Sequence, residues 1–378
     1  MELRKFIAPE IVYGNESRKL VGQYMSNFGV DRIMLISDPI VSCQMWFQDI
    51  VDSLDAAEVE WILETGVSIN PRDYECHTIA ETYQQEKCEL ILAVGGGSVI
   101  DCAKGVGVLV SNGGHISEYE GVDEIMFPIP PLICIPSTSG SAAEISQFAI
   151  ITNTDLGYKM ALVSKTLVPD LALMDPETTY TKPADITIDT GLDVLAHATE
   201  AMVSNASSPL TDLHAKEAVR LVLQWLPLAV REPLNPKARE GMLRASMSAG
   251  LAFSNASLGL VHAVAHALGG KFDLIHGELN GLLLSSVVAF NYEYAKKQYQ
   301  VLESICQEIL HIDQEQPLYV TYQQFIDNVR KNRPLSEQGA DWEGLMAMIP
   351  WVIHDPCIAT NPRDVSSEDV KTIYEQIW

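Results

Sequence analysis

The sequence predicts a parallel α/β domain at residues 1–180, followed by an all-helical domain at 181–378. Before residue 180, short apolar runs alternate with helical stretches, in the strand–helix–strand order of a parallel sheet covered on both faces. From Thr181-Lys182-Pro183 to about residue 311, the periodicity is mostly helical and alanine-rich, with few β-branched alternations. A chain of 378 residues is also long for a single core, which favours two domains.

The elements of the first half follow from its apolar runs. Residues 31–39 form an apolar run that stops at a polar turn, as a buried strand does. The pattern that follows predicts a helix over 41–54, a strand over 59–63, a helix over 74–87, and strands over 90–94, 131–136 and 171–176.

In the second half, helical periodicity covers 210–230, 237–254 and 258–268. We expect Gly269-Gly270 to end the last of these helices and to let the chain fold back towards it.

Composition excludes some classes of function. With 25 basic and 50 acidic residues, the formal charge is −25 and the sequence pI is near 4.6, so the surface repels phosphate backbones and nucleic-acid binding is not expected. Seven scattered cysteines without a C-x-x-C pair favour reduced thiols in a cytoplasmic protein. The sequence lacks an N-terminal signal-like run and a long uncharged apolar segment, so no membrane span is expected.

A glycine-rich turn follows the strand at 90–94. Gly95, Gly96, Gly97 and Ser98 lie between that strand and a helix, where backbone N–H groups and a helix N-terminus can face a phosphate. The alternative is a tight turn without a ligand, and the loop matches neither common nucleotide-binding fingerprint.

Other polar residues end predicted strands. Asp38 could accept hydrogen bonds from ribose hydroxyls and would repel a 2′-phosphate, which favours NAD over NADP; alternatively it only terminates a strand. Ser137 and Thr138 are placed to contact phosphate or ribose at the carboxyl edge of the sheet, although both residue types also favour turns.

Histidines indicate a metal site. His262 and His266 are four residues apart, so they share a helix face, and His276 follows after a glycine pair. Alone, these could be ordinary, partly buried imidazoles. A second cluster, Asp193 and His197, has the same spacing, and a carboxylate with imidazoles suits Zn²⁺ or Fe²⁺.

Several separated motifs together resemble one family. They are Gly95-Gly96-Gly97-Ser98 with Asp101 and Lys104, residues 136–144, Thr190 to Ala201, His262 to His276, and Asn361-Pro362-Arg363. In this order they are similar to the iron-containing (group III) alcohol dehydrogenases, which include lactaldehyde reductase and 1,3-propanediol dehydrogenase. Departures such as Leu192 and Ala196 remove no donor atom from the metal cluster.

The resemblance implies roles for individual residues. It implies that Asp193, His197, His262 and His276 bind a divalent metal, most often Fe²⁺ with Zn²⁺ as an alternative, and that His266 lies beside the nicotinamide and substrate as a proton relay. Phe148 and Cys357 are implied to line the substrate pocket. The implied NAD contacts are Asp38, Asn70, Gly95, Gly96, Gly97, Ser98, Asp101, Ser137, Thr138 and Lys159.

The resemblance also implies an activity and an architecture. A nicotinamide-binding domain and a metal-binding helical domain would enclose a cleft, in which a short primary alcohol or diol and its aldehyde are interconverted by hydride transfer. Alternatives are a reductase of a small anionic aldehyde such as a sulfonate, an enzyme like glycerol dehydrogenase, and, more remotely, a non-catalytic sensory protein on this fold. The family further implies a homo-oligomer, at least a dimer.

Overall fold

The computed structural model describes residues 5–331 and 333–378. Six parallel strands form the main sheet in the order β1-β9-β6-β4-β2-β3, and a three-stranded sheet has the order β5-β8-β7. The strands are β1 Glu10–Tyr13, β2 Arg32–Ile36, β3 Glu60–Glu64, β4 Leu90–Gly95, β5 Gly121–Val122, β6 Leu132–Pro136, β7 Phe148–Asn153, β8 Tyr158–Val163 and β9 Leu171–Met174.

Helices cover the main sheet and form the whole second half of the described chain. The helices of the first half are α1 Val21–Phe28, α2 Phe47–Ala56, α3 Asp73–Gln85 and α4 Gly97–Asn112. Those of the second half are α5 Ala184–Val203, α6 Pro209–Arg231, α7 Pro236–Ala256, α8 Leu260–Phe272, α9 His276–Asn291, α10 Lys296–Leu310, α11 Leu318–Val329, α12 Trp342–His354 and α13 Ser367–Ile377.

The predicted fold class, a parallel α/β part followed by a helical part, is therefore confirmed. Strand β2 shows how both faces of the sheet are covered, because its side chains alternate between two cores. Ile33 and Leu35 pack in the cluster that contains residues of α1 and α2. Met34 and Ile36 pack in the other cluster, which contains residues of α3 and α4.

Four strands were not predicted. One of them, β5, is only two residues long. β1 is a four-residue edge strand that pairs with β9, too short to give a periodic signal. β7 and β8 form an antiparallel hairpin whose turn contains Gly157 at φ 68°. β8 is buried over most of its length, so it lacks the polar–apolar alternation of a half-exposed strand.

Two predicted helix boundaries are wrong. The helix predicted over 41–54 begins at Phe47, because turns occupy the residues after Asp38, whose carboxylate accepts hydrogen bonds from the N–H groups of Ile40 and Val41. The pair Gly269-Gly270 does not end α8, which continues to Phe272 and ends at Asp273 with φ 53°.

The glycine pair serves a close approach of α8 to β8. A Cβ on Gly270 would lie 2.4 Å from the Cα of Tyr158, and one on Gly269 would lie 3.3 Å from the Nζ of Lys159. A β-carbon at Gly270 would therefore overlap backbone that has no room to move. These glycines let the histidine-bearing helix pack directly on the first half of the chain.

The second half is built around α5, which is buried over most of its length and packs against α6, α7 and α9. Small residues allow the close contacts: Gly277 lies against the backbone of Asp189, and Gly281 against Leu192. Helix α9 is thereby held against α5, and it also packs against α8, so it links the histidine-bearing helices.

Two further expectations can be compared with the structure. All seven cysteines are free thiols, and only Cys43 is exposed. Among the described residues, no single helix is long and apolar enough to cross a membrane, although α7 and α8, bent by 100° at their junction, reach that length and composition together.

We predict that Gly270→Ala destabilises the protein by about 1–3 kcal/mol, because overpacking against the Tyr158 backbone outweighs the better helix propensity of alanine. The urea midpoint of unfolding measures this. Gly66→Ala is the matched control, since a Cβ there meets nothing within 4 Å, and it should change the free energy of unfolding by at most about 1 kcal/mol. Equal midpoints for the two variants would contradict the close-packing argument.

Candidate active site

The carboxylate of Asp193 lies at the centre of a group of imidazoles. Asp193 and His197 are one turn apart on α5, His262 is on α8, and His276 begins α9. From Oδ1 of Asp193, the distances are 3.6 Å to Nδ1 of His197, 3.5 Å to Nε2 of His262 and 3.7 Å to Nε2 of His276. The structure thus brings the four predicted metal-binding residues to one point, although they come from three helices.

This arrangement fits a divalent metal ion. Donor atoms bonded at about 2.1 Å to a tetrahedral ion lie about 3.4 Å apart, which is close to the three distances from Asp193. One donor atom each from Asp193, His262 and His276 lies within 4.8 Å of the others. His197 is outside that tight group: its ring stacks on His262 at 4.4 Å, and its buried Nδ1 has no hydrogen-bond partner in the described chain.

Burial and mutual contacts shift the pKa values of the grouped side chains. Burial acts to raise the pKa of Asp193, but the imidazoles, His197 first, hold it below its ordinary value. Burial lowers the pKa of His197 to about 3 and that of His276 well below its ordinary value, so both are neutral and offer a lone pair. His262 differs: burial acts to lower its pKa, but hydrogen bonds to Asp193 and Glu200 raise it to about 9.

Glu200 orients His262 and was not among the predicted site residues. Its Oε2 lies 2.7 Å from Nδ1 of His262, so the other ring nitrogen, Nε2, is turned towards Asp193. The same carboxylate accepts the N–H groups of Gly259 and Val261, at the start of α8. The signal was available, because Glu200 lies seven residues after Asp193, on the same face of a predicted helix.

Asn280 is a second residue that the sequence reasoning missed. It lies on α9, one turn after His276, and is fully buried. Its Nδ2 lies 2.7 Å from Oδ1 of Asp193, 3.1 Å from Nε2 of His276 and 3.3 Å from Nε2 of His262. The amide therefore touches all three members of the tight group, whereas its Oδ1 has no partner in the described chain.

His266 lies beside the metal-binding group rather than within it. Its ring stacks on that of His276 at 5.6 Å, and its Nδ1 lies 2.8 Å from Oδ2 of Asp355. Asp355 also accepts the N–H of Cys357. Burial acts to raise the pKa of Asp355, but His266 and the Cys357 donors hold it below its ordinary value, so the carboxylate stays ionised next to the imidazole.

The two predicted pocket residues flank this centre. Cys357 is buried with Asp355 and His266, and burial raises the pKa of its thiol well above the ordinary value, so it contributes a neutral surface. Phe148 packs edge-on against Phe253, which in turn stacks on His197 at 4.3 Å. Phe148 is therefore one aromatic ring away from the metal-binding group.

The predicted phosphate loop has the expected strand-to-helix geometry. β4 ends at Gly95, Gly96 is extended, and α4 begins at Gly97. A Cβ on Gly97 would lie 2.4 Å from Oγ of Ser141, so the loop packs too closely on the 137–141 segment to carry a larger residue. Such a loop directs the free N–H groups of the first turn of α4 outwards.

The neighbouring hydroxyl residues join this loop. Thr138 contacts Gly96, and the N–H of Ser137 donates to the carbonyl of Gly95 at 2.8 Å. Oγ of Ser137 is buried without a partner in the described chain, whereas the hydroxyl of Ser98 donates to the carbonyl of Ile69.

The charged and polar residues predicted to contact the cofactor lie on several elements. Asp101 is on α4, and burial raises its pKa to about 6; Lys159 is on β8, and burial lowers its pKa to about 8. Asn70 donates to Asp273 at 2.6 Å, at the end of α8. Asp38 follows β2, and burial lowers the pKa of Lys182 while the charge of Asp38 opposes that shift.

A groove elsewhere on the protein is separate from the metal-binding group. It has a volume of about 710 Å³, lies between α6 and α10, and is lined by residues such as His214, Arg220 and Ile305. The candidate centre is identified by its converging donor atoms.

Comparison with known proteins agrees with this geometry. Residues 8–176 match the model described as iron-containing alcohol dehydrogenase, and residues 187–378 match the model for the C-terminal part of the same family. The NAD-dependent methanol dehydrogenase of Bacillus methanolicus is 30% identical over 372 residues, which cover 97% of this chain and 98% of the relative.

Solved structures are also similar over their full length. The structure of 1,3-propanediol oxidoreductase superposes with a TM-score of 0.94 and 29% identity, covering 100% of both chains. Sulfoacetaldehyde reductase from Bifidobacterium kashiwanohense, in complex with NAD⁺, gives a TM-score of 0.86 and 28% identity, covering 100% of this chain and 99% of that one.

We predict that Glu200→Ala lowers metal affinity by about 10–100-fold, because residues that orient a metal-binding imidazole typically contribute that much. Competition with a coloured chelator measures the affinity. Glu217→Ala, which removes a glutamate on the protein surface that pairs with Arg244, is the control and should leave the affinity unchanged. Metal binding by Glu200→Ala that matches the unmodified protein would show that Glu200 does not orient His262.

Proposed function

We propose that this protein interconverts a short primary alcohol or diol and the matching aldehyde. The proposal starts from the family: the chain belongs to the iron-containing alcohol dehydrogenases and is an NAD-linked, metal-dependent oxidoreductase. The observation that carries the proposal is the convergence of three imidazole nitrogens on one carboxylate oxygen of Asp193.

We assign the metal to Asp193, His197, His262 and His276, with Fe²⁺ as the ion that the family favours. The bound metal and nicotinamide supply, respectively, polarisation of the substrate oxygen and exchange of the hydride. The protein's own contribution is to fix the donors. Glu200 holds Nε2 of His262 towards Asp193, and burial keeps His197 and His276 unprotonated.

His266 is positioned to hold and move the proton that the reaction releases or takes up. The 2.8 Å contact with the ionised Asp355 fixes a proton on Nδ1 of His266. Nε2 of His266 is then free to accept a proton from the substrate hydroxyl, or to return one to the aldehyde oxygen. Asp355 acts as a positioning residue, because it selects the tautomer without touching the substrate.

The cofactor is assigned to the carboxyl edge of the main sheet. The N–H groups at the start of α4, next to Gly96 and Gly97, suit its pyrophosphate. Thr138 and Ser137 lie beside that loop, and the hydroxyl of Ser137 has no hydrogen-bond partner among the described residues. Asp38, at the end of β2, is assigned to the ribose, where its charge favours NAD over NADP. We therefore assign cofactor binding to residues 1–180 and metal binding to residues 181–378.

The lining of the site favours a small substrate. Phe148, Phe253 and the neutral thiol of Cys357 surround the polar centre with apolar groups. Lys159 supports a second candidate, a small anionic aldehyde, since this lysine is buried and its Nζ lies next to Gly269 on the helix that carries His262 and His266. The similarity to sulfoacetaldehyde reductase agrees with that candidate. A cytoplasmic homodimer is part of the proposal, supported by the free thiols and by the family.

The proposed activity is tested by reconstituting the protein with Fe²⁺ and following NADH absorbance with a panel of short aldehydes, including propanal, 3-hydroxypropanal and sulfoacetaldehyde. We expect turnover of at least one aldehyde, and loss of both turnover and bound iron in His262→Ala and His276→Ala. Iron analysis that shows full occupancy in both variants would overturn the ligand assignment. A metal-loaded protein inactive towards the whole panel would overturn the proposed substrate class.

The proton-relay role is tested by the pH dependence of kcat. We expect His266→Ala to lower kcat by about 10²–10⁴-fold and to remove the limb of the profile that depends on His266, while iron content stays normal. Asp355→Asn should lower kcat less and shift that limb, because the imidazole loses its charged partner. An unchanged pH profile in His266→Ala would exclude the relay.

A further inference from the structure

Asn280 occupies a position that the proposed ligand set does not explain. It is fully buried, and its amide nitrogen lies 2.7–3.3 Å from donor atoms of Asp193, His276 and His262. A neutral amide at the centre of a group of metal donors needs a reason, since burying an amide without satisfying both ends costs about 1–3 kcal/mol.

The nitrogen end of this amide faces the donors for a physical reason. An amide NH₂ donates two hydrogen bonds, and Oδ1 of Asp193 and Nε2 of His276 are its two nearest acceptors, at 2.7 and 3.1 Å. The cost appears at the other end, where Oδ1 is buried without a partner in the described chain.

Metal binding reverses these preferences. The lone pairs that accept from Nδ2 are the same lone pairs that Asp193 and His276 would give to the ion, so the NH₂ group loses both of its acceptors. A partly positive NH₂ group is also repelled by a cation, whereas an amide oxygen is attracted to it. Oxygen and nitrogen of an amide have nearly the same shape, so a half-turn about the last side-chain bond exchanges them within the same space.

We propose that Asn280 is a fifth residue of the metal centre: its NH₂ group bonds to the donor atoms when no ion is bound, and its Oδ1 turns to face the ion when the metal binds. This rests on the proposed ligand set of Asp193, His197, His262 and His276. Amide oxygens are hard, neutral donors that suit Fe²⁺ or Mn²⁺ better than softer ligands do. Asn280 therefore favours such ions without adding charge to an already ionised site.

Metal binding, measured without turnover, tests the proposal. Asn280→Ala, Asn280→Asp and the unmodified protein are freed of metal and titrated with Co²⁺, whose visible absorption bands report the number and type of ligands. We expect Asn280→Ala to bind Co²⁺ at least about 10-fold more weakly and with shifted bands. Asn280→Asp keeps an oxygen, so its bands should resemble those of the unmodified protein.

Thermal unfolding gives a second readout, in which the two Asn280 variants should differ from the unmodified protein in opposite directions. In metal-free Asn280→Asp, a second carboxylate faces Asp193, so the rise in unfolding temperature on adding Co²⁺ should exceed that of the unmodified protein. In Asn280→Ala that rise should be smaller. Asn291→Ala is the matched control, because Asn291 is a buried asparagine on the same helix that bonds to Asn361 instead; it should lower stability but leave the Co²⁺ bands unchanged.

Each outcome decides between the two proposals. Unchanged or stronger Co²⁺ binding with unshifted bands in Asn280→Ala overturns the role of Asn280. If His262→Ala also keeps the ion, the ligand set itself is wrong. If His262→Ala loses the ion, the ligand set stands and only the fifth residue is rejected.

Discussion

The constraint on which the site depends is the buried carboxylate of Asp193, which polar groups from three helices must stabilise together. A carboxylate removed from water is costly unless it is paired and hydrogen-bonded. Here its Oδ1 receives the Asn280 amide and faces nitrogens of His197, His262 and His276. This requirement ties α5, α8 and α9 into one unit, so their packing and the chemistry of the site have the same cause.

Close helix packing supplies the room for that arrangement. Gly277 lets the start of α9 rest on the backbone of α5, and Gly281 admits Leu192. Glu200 adds a second buried carboxylate, but the start of α8 satisfies it with two N–H groups, and His262 binds it through Nδ1. The helix N-terminus thus stabilises the acid that orients the imidazole.

Helix α8 also joins the two halves of the chain. Gly270 rests on the backbone of Tyr158, while Asp273, at the end of the helix, accepts hydrogen bonds from Asn70 and Arg72. Lys159, on β8, is buried next to Gly269 of α8. The residues assigned to the cofactor and those assigned to the metal are therefore held in register by direct contacts, as hydride transfer over a short distance requires.

The sequence by itself determined the fold class and most of the candidate site, because hydrophobic period and local spacing are properties of the chain. The hydrophobic periodicity distinguished the strands of the first half from the helices of the second. The i, i+4 spacing paired Asp193 with His197 and His262 with His266. Only the tertiary structure decided which side chains meet across helices. Asp355 carries no local signal of function, and Asn280 carries only its four-residue spacing from His276. Each gains its role from a partner, Asp193 for Asn280 and His266 for Asp355, that is 87 or 89 residues away. The glycine pair of α8 was mistaken for a helix end for the same reason, since the Tyr158 backbone that demands it lies on a distant strand.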